Sequence, residues 1–255
     1  MNHVRSLSVF FPAYNDAPSL PRLLARTFEV LRERVPDHEV IVVNDGSRDG
    51  TAAVLEQLRR QYEPHLKVVT HEKNRGYGGA LRSGFEAATR DFVFYTDGDG
   101  QYDPGELPLL LDLMRPGVGL VNGYKLERHD PRHRVWIGHA YNLFARALFR
   151  ISIRDIDCDY RLIRRELLDD YRLISTSGTV CVELVRQIQL SGCDIAEVGV
   201  HHFPRLHGSS QFFRFRSLLT TFTQLGSLYG RLVLFAPLKR LVPAALVARV
   251  KSAQP

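Results

Sequence analysis

The sequence is poor in cysteine, which limits the covalent and thiolate chemistry open to it. Its 255 residues contain three cysteines, Cys158, Cys181 and Cys193, and no two of them form a Cys-x-x-Cys pair. An odd number of cysteines without such a pair favours neither a disulfide framework nor a thiolate zinc site. We therefore expect a protein of a reducing compartment, the cytoplasm.

Long hydrophobic runs are also absent from the sequence. The apolar stretch at residues 7–13 is interrupted by Ser8 and Pro12 and is followed by Asn15 and Asp16 rather than by small residues, so we expect no signal peptide. Near the other end, the longest run without a charge covers residues 217–230. That run is shorter than the ~20 apolar residues that span a bilayer. The sequence thus predicts no membrane-spanning helix.

Acidic residues are missing after Glu197, where eight cations follow. These cations more than account for the net charge of +6, so the rest of the chain is not basic and a nucleic-acid partner is not expected. The cations alternate with leucine, phenylalanine and valine, a pattern typical of helices that lie on an anionic membrane surface. The alternative interpretation is that these helices pack on the core and expose a solvated basic face.

Apolar segments alternate with helical patterns along most of the chain. Hydrophobic residues make up 44% of the sequence and charged residues 24%, as in a globular protein with a sizeable core. Strands are predicted at residues 7–11, 39–43, 66–70, 92–96 and 119–121, and helices at 20–34, 51–62, 78–89 and 104–113. This alternation indicates the α/β class, with a mostly parallel sheet flanked by helices. Ligands in such sheets bind beyond the carboxyl ends of the strands.

A pair of carboxylates follows the fourth predicted strand, in the segment YTDGDGQYDP. Asp97 and Asp99 are two residues apart, so in extended backbone they face the same side and can share one hard cation such as Mg²⁺ or Mn²⁺. Gly98 and Gly100 let the chain turn close to a ligand. The alternative interpretation of this DxD motif is a turn with solvated carboxylates.

Four segments, FPAYND, VVNDGSRDGT, NRGYGGALRSGF and YTDGDGQYDP, resemble in order and spacing the nucleotide-sugar half of inverting family 2 glycosyltransferases, which have the GT-A fold. Two later segments, DIDCDYRLIRRE and PRLHGSSQF, are similar to motifs of the polyprenyl-phosphate sugar transferases, the dolichyl-phosphate mannosyltransferase group. The resemblance covers about residues 6–212. It implies a Rossmann-like GT-A domain over residues 1–212, and we expect a basic amphipathic helical extension at the membrane surface over residues 213–255.

The resemblance also implies which residues bind the donor. The residues that match the nucleotide-sugar site are Pro12, Tyr14, Asn15, Asp16, Asp45, Arg75, Gly76, Asp97, Gly98 and Arg205. Those that match the metal group are Asp97, Asp99 and Gln101. Asp45 matches the carboxylate that reads the base, and Asp16 replaces the usual glutamate near the ribose. Arg205 matches the arginine of a loop that closes on the diphosphate, while Gln211 replaces the lysine usual in that loop.

On the acceptor side, the resemblance implies a catalytic carboxylate and a group of cations. Asp159 fits the place of the family's base or orienting aspartate best, and Asp157 is second. Lys125, Arg128 and Arg134 lie in the region where the family binds the acceptor phosphate. A lipid phosphate is already an anion at neutral pH, so catalysis must mainly offset its repulsion from the leaving diphosphate, with a cation on one side and basic side chains on the other.

These expectations define one function and two alternatives. The expected protein transfers a sugar, with inversion and with Mg²⁺ or Mn²⁺, from a UDP- or GDP-sugar to a polyprenyl phosphate, as a peripheral enzyme at the inner face of the cytoplasmic membrane. One alternative is the same donor chemistry on a soluble saccharide or natural-product acceptor. The other is a nucleotide- or lipid-binding protein without catalysis, which is disfavoured because both the acidic pair and the acceptor-side cations are present.

Overall fold

A seven-stranded mixed sheet forms the centre of the molecule. The computed structural model describes residues 3–127, 132–169, 173–205 and 215–234, without the side chains of 132–134, 215–220 and 222. Within these ranges the strands are β1 (Ser6–Ala13), β2 (Asp37–Asn44), β3 (Leu66–Thr70), β4 (Phe92–Thr96), β5 (Val118–Lys125), β6 (Tyr160–Arg164) and β7 (Asp194–Val200). Their order in the sheet is β3-β2-β1-β4-β6-β5-β7.

The pairing of the strands is mostly parallel. β1 pairs in parallel with β2 and β4, β2 with β3, and β5 with β7. Strand β6 runs antiparallel to both of its neighbours, β4 and β5. The predicted α/β class and mostly parallel sheet are therefore confirmed, but the hydrophobic pattern predicted neither β7 nor the antiparallel β6. Its sequence, YRLIR, places arginines beside a short apolar pair, which weakens the strand signal.

Helices cover both faces of the sheet. They are α1 (Leu20–Arg34), α2 (Thr51–Gln61), α3 (Tyr77–Ala87), α4 (Leu107–Leu113), α5 (Arg132–Phe149), α6 (Glu166–Asp169), α7 (Thr179–Leu190) and α8 (Phe215–Tyr229). A 3₁₀ turn at Pro104–Glu106 precedes α4 and is capped by Asp103, whose carboxylate accepts a hydrogen bond from the Gly105 backbone N–H at 2.8 Å. This is the capping role that an Asp-Pro pair predicts.

Two apolar clusters, one on each face of the sheet, form the core. Consecutive residues of a strand point to opposite faces, so Phe11 packs in one cluster and Phe10 in the other. The second cluster includes Leu225, Leu228 and Leu232, which follow one another at helical spacing and are each 3% exposed. Helix α8 thus packs on the core at Leu225 and Leu228, and the π-helical turn Gly230–Leu234 that follows it packs there at Leu232, as the alternative interpretation of the basic segment expects.

The rest of the basic segment is not covered by the structure. Residues 206–214 and 235–255 lie outside the described residues, and so does the predicted boundary between residues 212 and 213. The division into a domain of residues 1–212 and an extension of residues 213–255 therefore stays a prediction. Among the helices that the structure describes, none has both the length and the hydropathy needed to cross a bilayer.

Candidate active site

The loops that follow β1, β2 and β4 meet at one edge of the sheet. The backbone N–H of Asp45, just after β2, donates to the Ala13 carbonyl at 2.9 Å, and that of Gly98, just after β4, donates to the Pro12 carbonyl at 3.1 Å. Gly98 is required here, because a Cβ atom on it would lie 2.8 Å from the Pro12 oxygen. The strand ends form the crevice in which an open α/β sheet binds its ligand.

The loop after β1 brings an acidic side chain to this crevice. Asn15 has φ of 60°, in the left-handed region that asparagine tolerates, and its N–H donates to the Ser47 hydroxyl at 3.0 Å. The carboxylate of Asp16 accepts from the Tyr14 N–H at 2.8 Å. Burial raises the pKa of Asp16 to about 6, and the negative charge of Asp99 contributes to the rise. The β1 loop therefore lies beside the acidic pair after β4.

Asp97 and Asp99 lie at the carboxyl end of β4 in a strongly acidic environment. Asp97 accepts a hydrogen bond from the Tyr77 hydroxyl at 2.8 Å. Burial raises the pKa of Asp97 well above its usual range, and the charges of Asp159 and Asp99 raise it further. Burial also raises the pKa of Asp99. Two carboxylates under mutual repulsion offer the oxygen ligands that a hard divalent cation prefers.

Asp97 and Asp99 fit a divalent metal ion by the chemistry of their carboxylate oxygens, which are the ligands that Mg²⁺ and Mn²⁺ prefer. Over the described part of the chain, no three histidine, cysteine, aspartate or glutamate residues are grouped as metal ligands. Asp99 forms an ion pair with Arg205 and accepts from the Gln101 N–H at 3.0 Å. The assignment of Asp97, Asp99 and Gln101 as metal ligands stays a prediction.

The segment after β7, which includes Phe203 and Arg205, lies against the loop that carries Asp97 and Asp99. The Phe203 N–H donates to the Gln101 carbonyl at 2.8 Å, and the Gln101 side-chain amide donates to the Phe203 carbonyl at 3.1 Å. Arg205 reaches both Asp99 and the Gln101 side-chain oxygen, the latter at 3.3 Å from its Nε. The arginine predicted near the diphosphate is thus brought to the carboxylates. The Gln101 oxygen accepts from Arg205, so it would meet a cation only after Arg205 moves.

A buried arginine fixes the orientation of Asp159. Oδ1 of Asp159 accepts from Arg161 Nη1 at 2.8 Å, from the Tyr95 hydroxyl at 3.4 Å and from the Cys181 thiol at 3.1 Å. Arg161 is fully buried, and its Nε donates to the Asn122 side chain at 2.7 Å. Thr96 of β4 lies opposite Tyr160 of β6, so Asp97 and Asp159 are the next residues at the same edge of the sheet, and the charge of Asp159 helps to raise the pKa of Asp97.

Lys125 lies beside the second candidate, Asp157. The Lys125 ammonium donates to the Asp157 carbonyl at 2.7 Å, and the Asp157 N–H donates to the Asp155 carboxylate at 3.1 Å. Arg128 lies outside the described residues. Arg134 belongs to α5, but its side chain is not described. The structure therefore brings Lys125 next to the segment 157–159, and the acceptor-phosphate site stays a prediction.

The segment of Arg75 and Gly76 packs against the loop before α7. Gly76 has φ of 77°, and a Cβ atom on it would lie 2.6 Å from the Thr176 carbonyl oxygen. The Gly78 N–H donates to the same oxygen at 3.1 Å. These contacts hold the start of α3, and with it Tyr77, at the side of Asp97.

Asp45 is held by a buried histidine. Its Oδ1 accepts from His71 Nδ1 at 2.6 Å and from the Arg75 N–H at 2.8 Å. The other ring nitrogen of His71, Nε2, lies 2.8 Å from the Ser83 hydroxyl. The base-reading carboxylate implied by the resemblance is therefore part of a fixed Asp-His-Ser group.

Sequence reasoning missed several residues that shape the site. They are Tyr77, Tyr95, Arg161, Cys181 and His71. Two of them carried a usable signal. Tyr77 lies inside the motif NRGYGG, and Arg161 follows Asp159 by two residues, which in extended backbone places both on one side. Cys181 comes from α7, and only the tertiary fold brings it near.

Comparison with known proteins gives matches over most of the chain. The model of the family described as Glycosyl transferase family 2 matches residues 8–172. An undecaprenyl-phosphate 4-deoxy-4-formamido-L-arabinose transferase of Pseudomonas fluorescens (strain SBW25) is 29% identical over 219 residues, which are 86% of this chain and 63% of that protein. The protein of the same description from Pseudomonas aeruginosa (strain LESB58) is 30% identical over 212 residues, 83% of this chain and 62% of its own. The chain thus spans less than two thirds of these relatives.

Solved structures share the fold. Glucosyl-3-phosphoglycerate synthase from Mycobacterium tuberculosis in complex with UDP superposes with a TM-score of 0.66 at 20% identity, over 89% of this chain and 80% of that one. The same enzyme with Mn²⁺, UDP and phosphoglyceric acid gives a TM-score of 0.62 over 94% and 80% of the two chains, also at 20% identity. These structures confirm the predicted GT-A fold, and the Pseudomonas relatives confirm the resemblance to polyprenyl-phosphate sugar transferases.

Proposed function

Because this chain belongs to glycosyl transferase family 2, we propose that it transfers a sugar from a nucleoside diphosphate sugar to a polyprenyl phosphate, with inversion at the anomeric carbon. The observation that carries the proposal is the convergence of three carboxylates, Asp97, Asp99 and Asp159, at the ends of adjacent strands. The resemblance to undecaprenyl-phosphate sugar transferases supports the acceptor class.

On the donor side, Asp97 and Asp99 would hold Mg²⁺ or Mn²⁺ against the diphosphate. A divalent cation bound there offsets the charge that builds up on the leaving diphosphate. The fold neighbour crystallised with Mn²⁺ and UDP supports this assignment. Arg205, which contacts Asp99, is the side chain that would turn to the diphosphate when the cation takes its place. The nucleotide lies along the loops after β1 and β2, in contact with Tyr14 and Asp45.

On the acceptor side, Asp159 faces the anomeric carbon, and Arg161 holds the Asp159 carboxylate in place. Arg161, Tyr95 and Cys181 all donate to Oδ1 of Asp159, and no described residue donates to Oδ2, so Oδ2 is the oxygen that would orient the attacking group. Lys125, with Arg128 and Arg134, would bind the acceptor phosphate and offset its repulsion from the diphosphate. Asp157 is the second choice for the catalytic carboxylate.

An exposed apolar face on α5 supports a membrane location for the acceptor. Trp136, Ile137, Leu143 and Phe144 are 76, 49, 70 and 51% exposed. The two pairs are seven residues apart, so they lie on one side of the helix. Tryptophan is favoured at the membrane interface, and α5 starts at Arg132, next to the predicted phosphate-binding cations. We infer that this face rests on the inner leaflet of the cytoplasmic membrane, which offers the anionic lipid expected as a partner.

Reconstituted transfer is the direct test of this function. The full chain is incubated with radiolabelled UDP- and GDP-sugars and Mn²⁺, on anionic vesicles that contain undecaprenyl phosphate. The expected result is a labelled lipid-phosphate sugar whose formation stops when the cation is chelated. Transfer that proceeds only to a soluble saccharide or natural product would select that alternative, and nucleotide binding without any turnover would indicate a non-catalytic protein.

A further inference from the structure

The Asp45 carboxylate is buried, and one of its two oxygens already accepts hydrogen bonds from the protein. This limits which nucleobases it can bind. Both hydrogen bonds that the structure describes for its side chain go to Oδ1, from His71 and from the Arg75 N–H. Resting on the donor chemistry proposed above, we propose that His71 makes the nucleotide site selective for uracil over guanine, because it leaves Asp45 one oxygen with which to read the base.

The position of Asp45 in the sheet suits contact with a base. It follows β2, which is separated from β4 and its acidic pair by β1 alone. Two strand spacings correspond to roughly 10 Å. That distance is comparable to the reach of a ribose and a diphosphate, so a nucleotide whose diphosphate lies at Asp97 and Asp99 extends its base to Asp45.

The hydrogen bonds around His71 fix both the ring and the carboxylate. A carboxylate can only accept, so Nδ1 of His71 carries a hydrogen and donates it to Asp45. In the neutral ring Nε2 then accepts from the Ser83 hydroxyl at 2.8 Å. The side chains of His71 and Asp45 are 2% and 5% exposed, so neither has room to turn away. His71 and Arg75 both donate to Oδ1 and crowd it, whereas no described residue donates to Oδ2, which is the oxygen that remains for a ligand.

The edges of the bases differ in the number of donors that they present to such a carboxylate. Uracil has one ring N–H between two carbonyl groups, and a single oxygen satisfies it. Guanine presents a ring N–H and an amino group side by side, which pair well with both oxygens of a carboxylate at once. Cytosine and adenine present an unprotonated ring nitrogen, which repels a carboxylate. With Oδ1 occupied, guanine loses one charge-assisted hydrogen bond, which corresponds to about tenfold in affinity.

Binding calorimetry with UDP and GDP on the full chain tests this inference. The variant His71→Phe keeps a ring of similar size and removes both nitrogen atoms, which frees one acceptor position on Oδ1. The matched control is His65→Phe, since His65 precedes β3 at its opposite end and contacts the His38 carbonyl at 3.3 Å. All titrations contain Mn²⁺, and thermal unfolding checks that each variant is folded.

We expect the unmodified chain to bind UDP at least about tenfold more tightly than GDP. His71→Phe should reduce this preference several-fold, and His65→Phe should keep it. If His71→Phe does not fold, Ser83→Ala replaces it. This variant removes the hydroxyl that contacts Nε2 of His71 and should also reduce the preference for UDP over GDP. A change in the ratio of the UDP and GDP affinities would identify His71 as a positioning residue. A purely structural role would lower both affinities and leave their ratio unchanged.

The outcomes separate this inference from the function on which it rests. Equal binding of UDP and GDP by the unmodified chain, or a tighter binding of GDP, overturns the inference and leaves sugar transfer intact. A preference for UDP that survives in His71→Phe and in Ser83→Ala overturns the role of His71. A chain that binds neither nucleotide contradicts the proposed function itself.

Discussion

Replacing Arg161 with methionine tests how the site holds its central carboxylate. Arg161 is fully buried and donates to Asp159, Asn122, the Tyr95 hydroxyl and the Ile156 carbonyl. Methionine fills a similar volume without a charge or a donor, so it leaves the Asp159 carboxylate, whose side chain is 13% exposed, without its cation. Breaking a buried pair in this way costs about 3–5 kcal/mol of folding free energy, and the partial exposure of Asp159 favours the lower end, about 3 kcal/mol.

Urea unfolding and steady-state kinetics measure the two consequences separately. The free energy of unfolding should fall by about 3 kcal/mol. The turnover number should fall by at least about a hundredfold, since Asp159 loses its fixed orientation, while the dissociation constant of the donor should change little. Arg161→Lys keeps the charge without the fork of donors and should be intermediate in both measurements.

The double variant Arg161→Met with Asp159→Asn distinguishes the ion pair from simple packing. Removing both charges should recover part of the lost stability, because no uncompensated carboxylate remains. Turnover should stay low, since the proposed catalytic group is gone. If the free energy of unfolding of Arg161→Met lies within about 1 kcal/mol of that of the unmodified chain, and sugar transfer is normal, the buried pair neither stabilises the fold nor orients Asp159.

Three further predictions concern other parts of the molecule. Burial opposes ionisation of Glu39, but hydrogen bonds from Lys67, Ser8 and Thr89 lower its pKa from 4.5 to about 2. Ionised Glu39 therefore adds about 3 kcal/mol to the free energy of unfolding above pH 4.5, and this stabilisation is lost as the pH falls toward 2. The stability difference between the unmodified chain and Glu39→Gln, measured by urea unfolding, should therefore shrink from pH 6 to pH 3, with a constant difference as the contrary result. Gly78→Ala places a Cβ atom 2.0 Å from the Ser175 carbonyl oxygen and should lower the free energy of unfolding by about 2 kcal/mol. Gly226→Ala in α8, whose added Cβ would have no atom within 4 Å, should not lower it. Similar losses of stability in both variants would contradict the close packing of Gly78 against Ser175. Trp136→Gln with Leu143→Gln should weaken flotation with anionic vesicles at least about tenfold, unlike Leu109→Gln in α4, and unchanged flotation would place the membrane surface elsewhere.

The sequence was most informative where local rules are strong. β3, β4 and α1 have the predicted bounds, because short buried strands and an amphipathic helix with a proline in its first turn leave clear patterns. The convergence of the loops after β1, β2 and β4 also follows from topology, since parallel strands that neighbour one another end at one edge. These elements needed no long-range information beyond the alternation of strands and helices.

The sequence failed where a side chain acts through a distant partner. Sequence reasoning made no prediction for Arg161, since its burial depends on Asn122 in β5 and Tyr95 in β4. The basic segment was interpreted as a membrane-surface helix from its alternating cations and apolar residues, yet Leu225 and Leu228 in α8 face the core. Helical spacing describes an apolar face and does not say whether protein or lipid covers it. The same limit applied to α5, whose exposed face became visible only in the fold.

The catalytic role of Asp159 is the centre of this account, and the kinetics of Asp159→Asn on vesicles with undecaprenyl phosphate test it most directly. Asparagine keeps the shape and removes the charge, so the turnover number should fall by at least about a hundredfold while the donor dissociation constant stays within about twofold. Asp112→Asn, an exposed site paired with Arg34, serves as the control and should transfer sugar normally. Normal turnover in Asp159→Asn, or a loss confined to donor affinity, would contradict the assignment of the reaction centre.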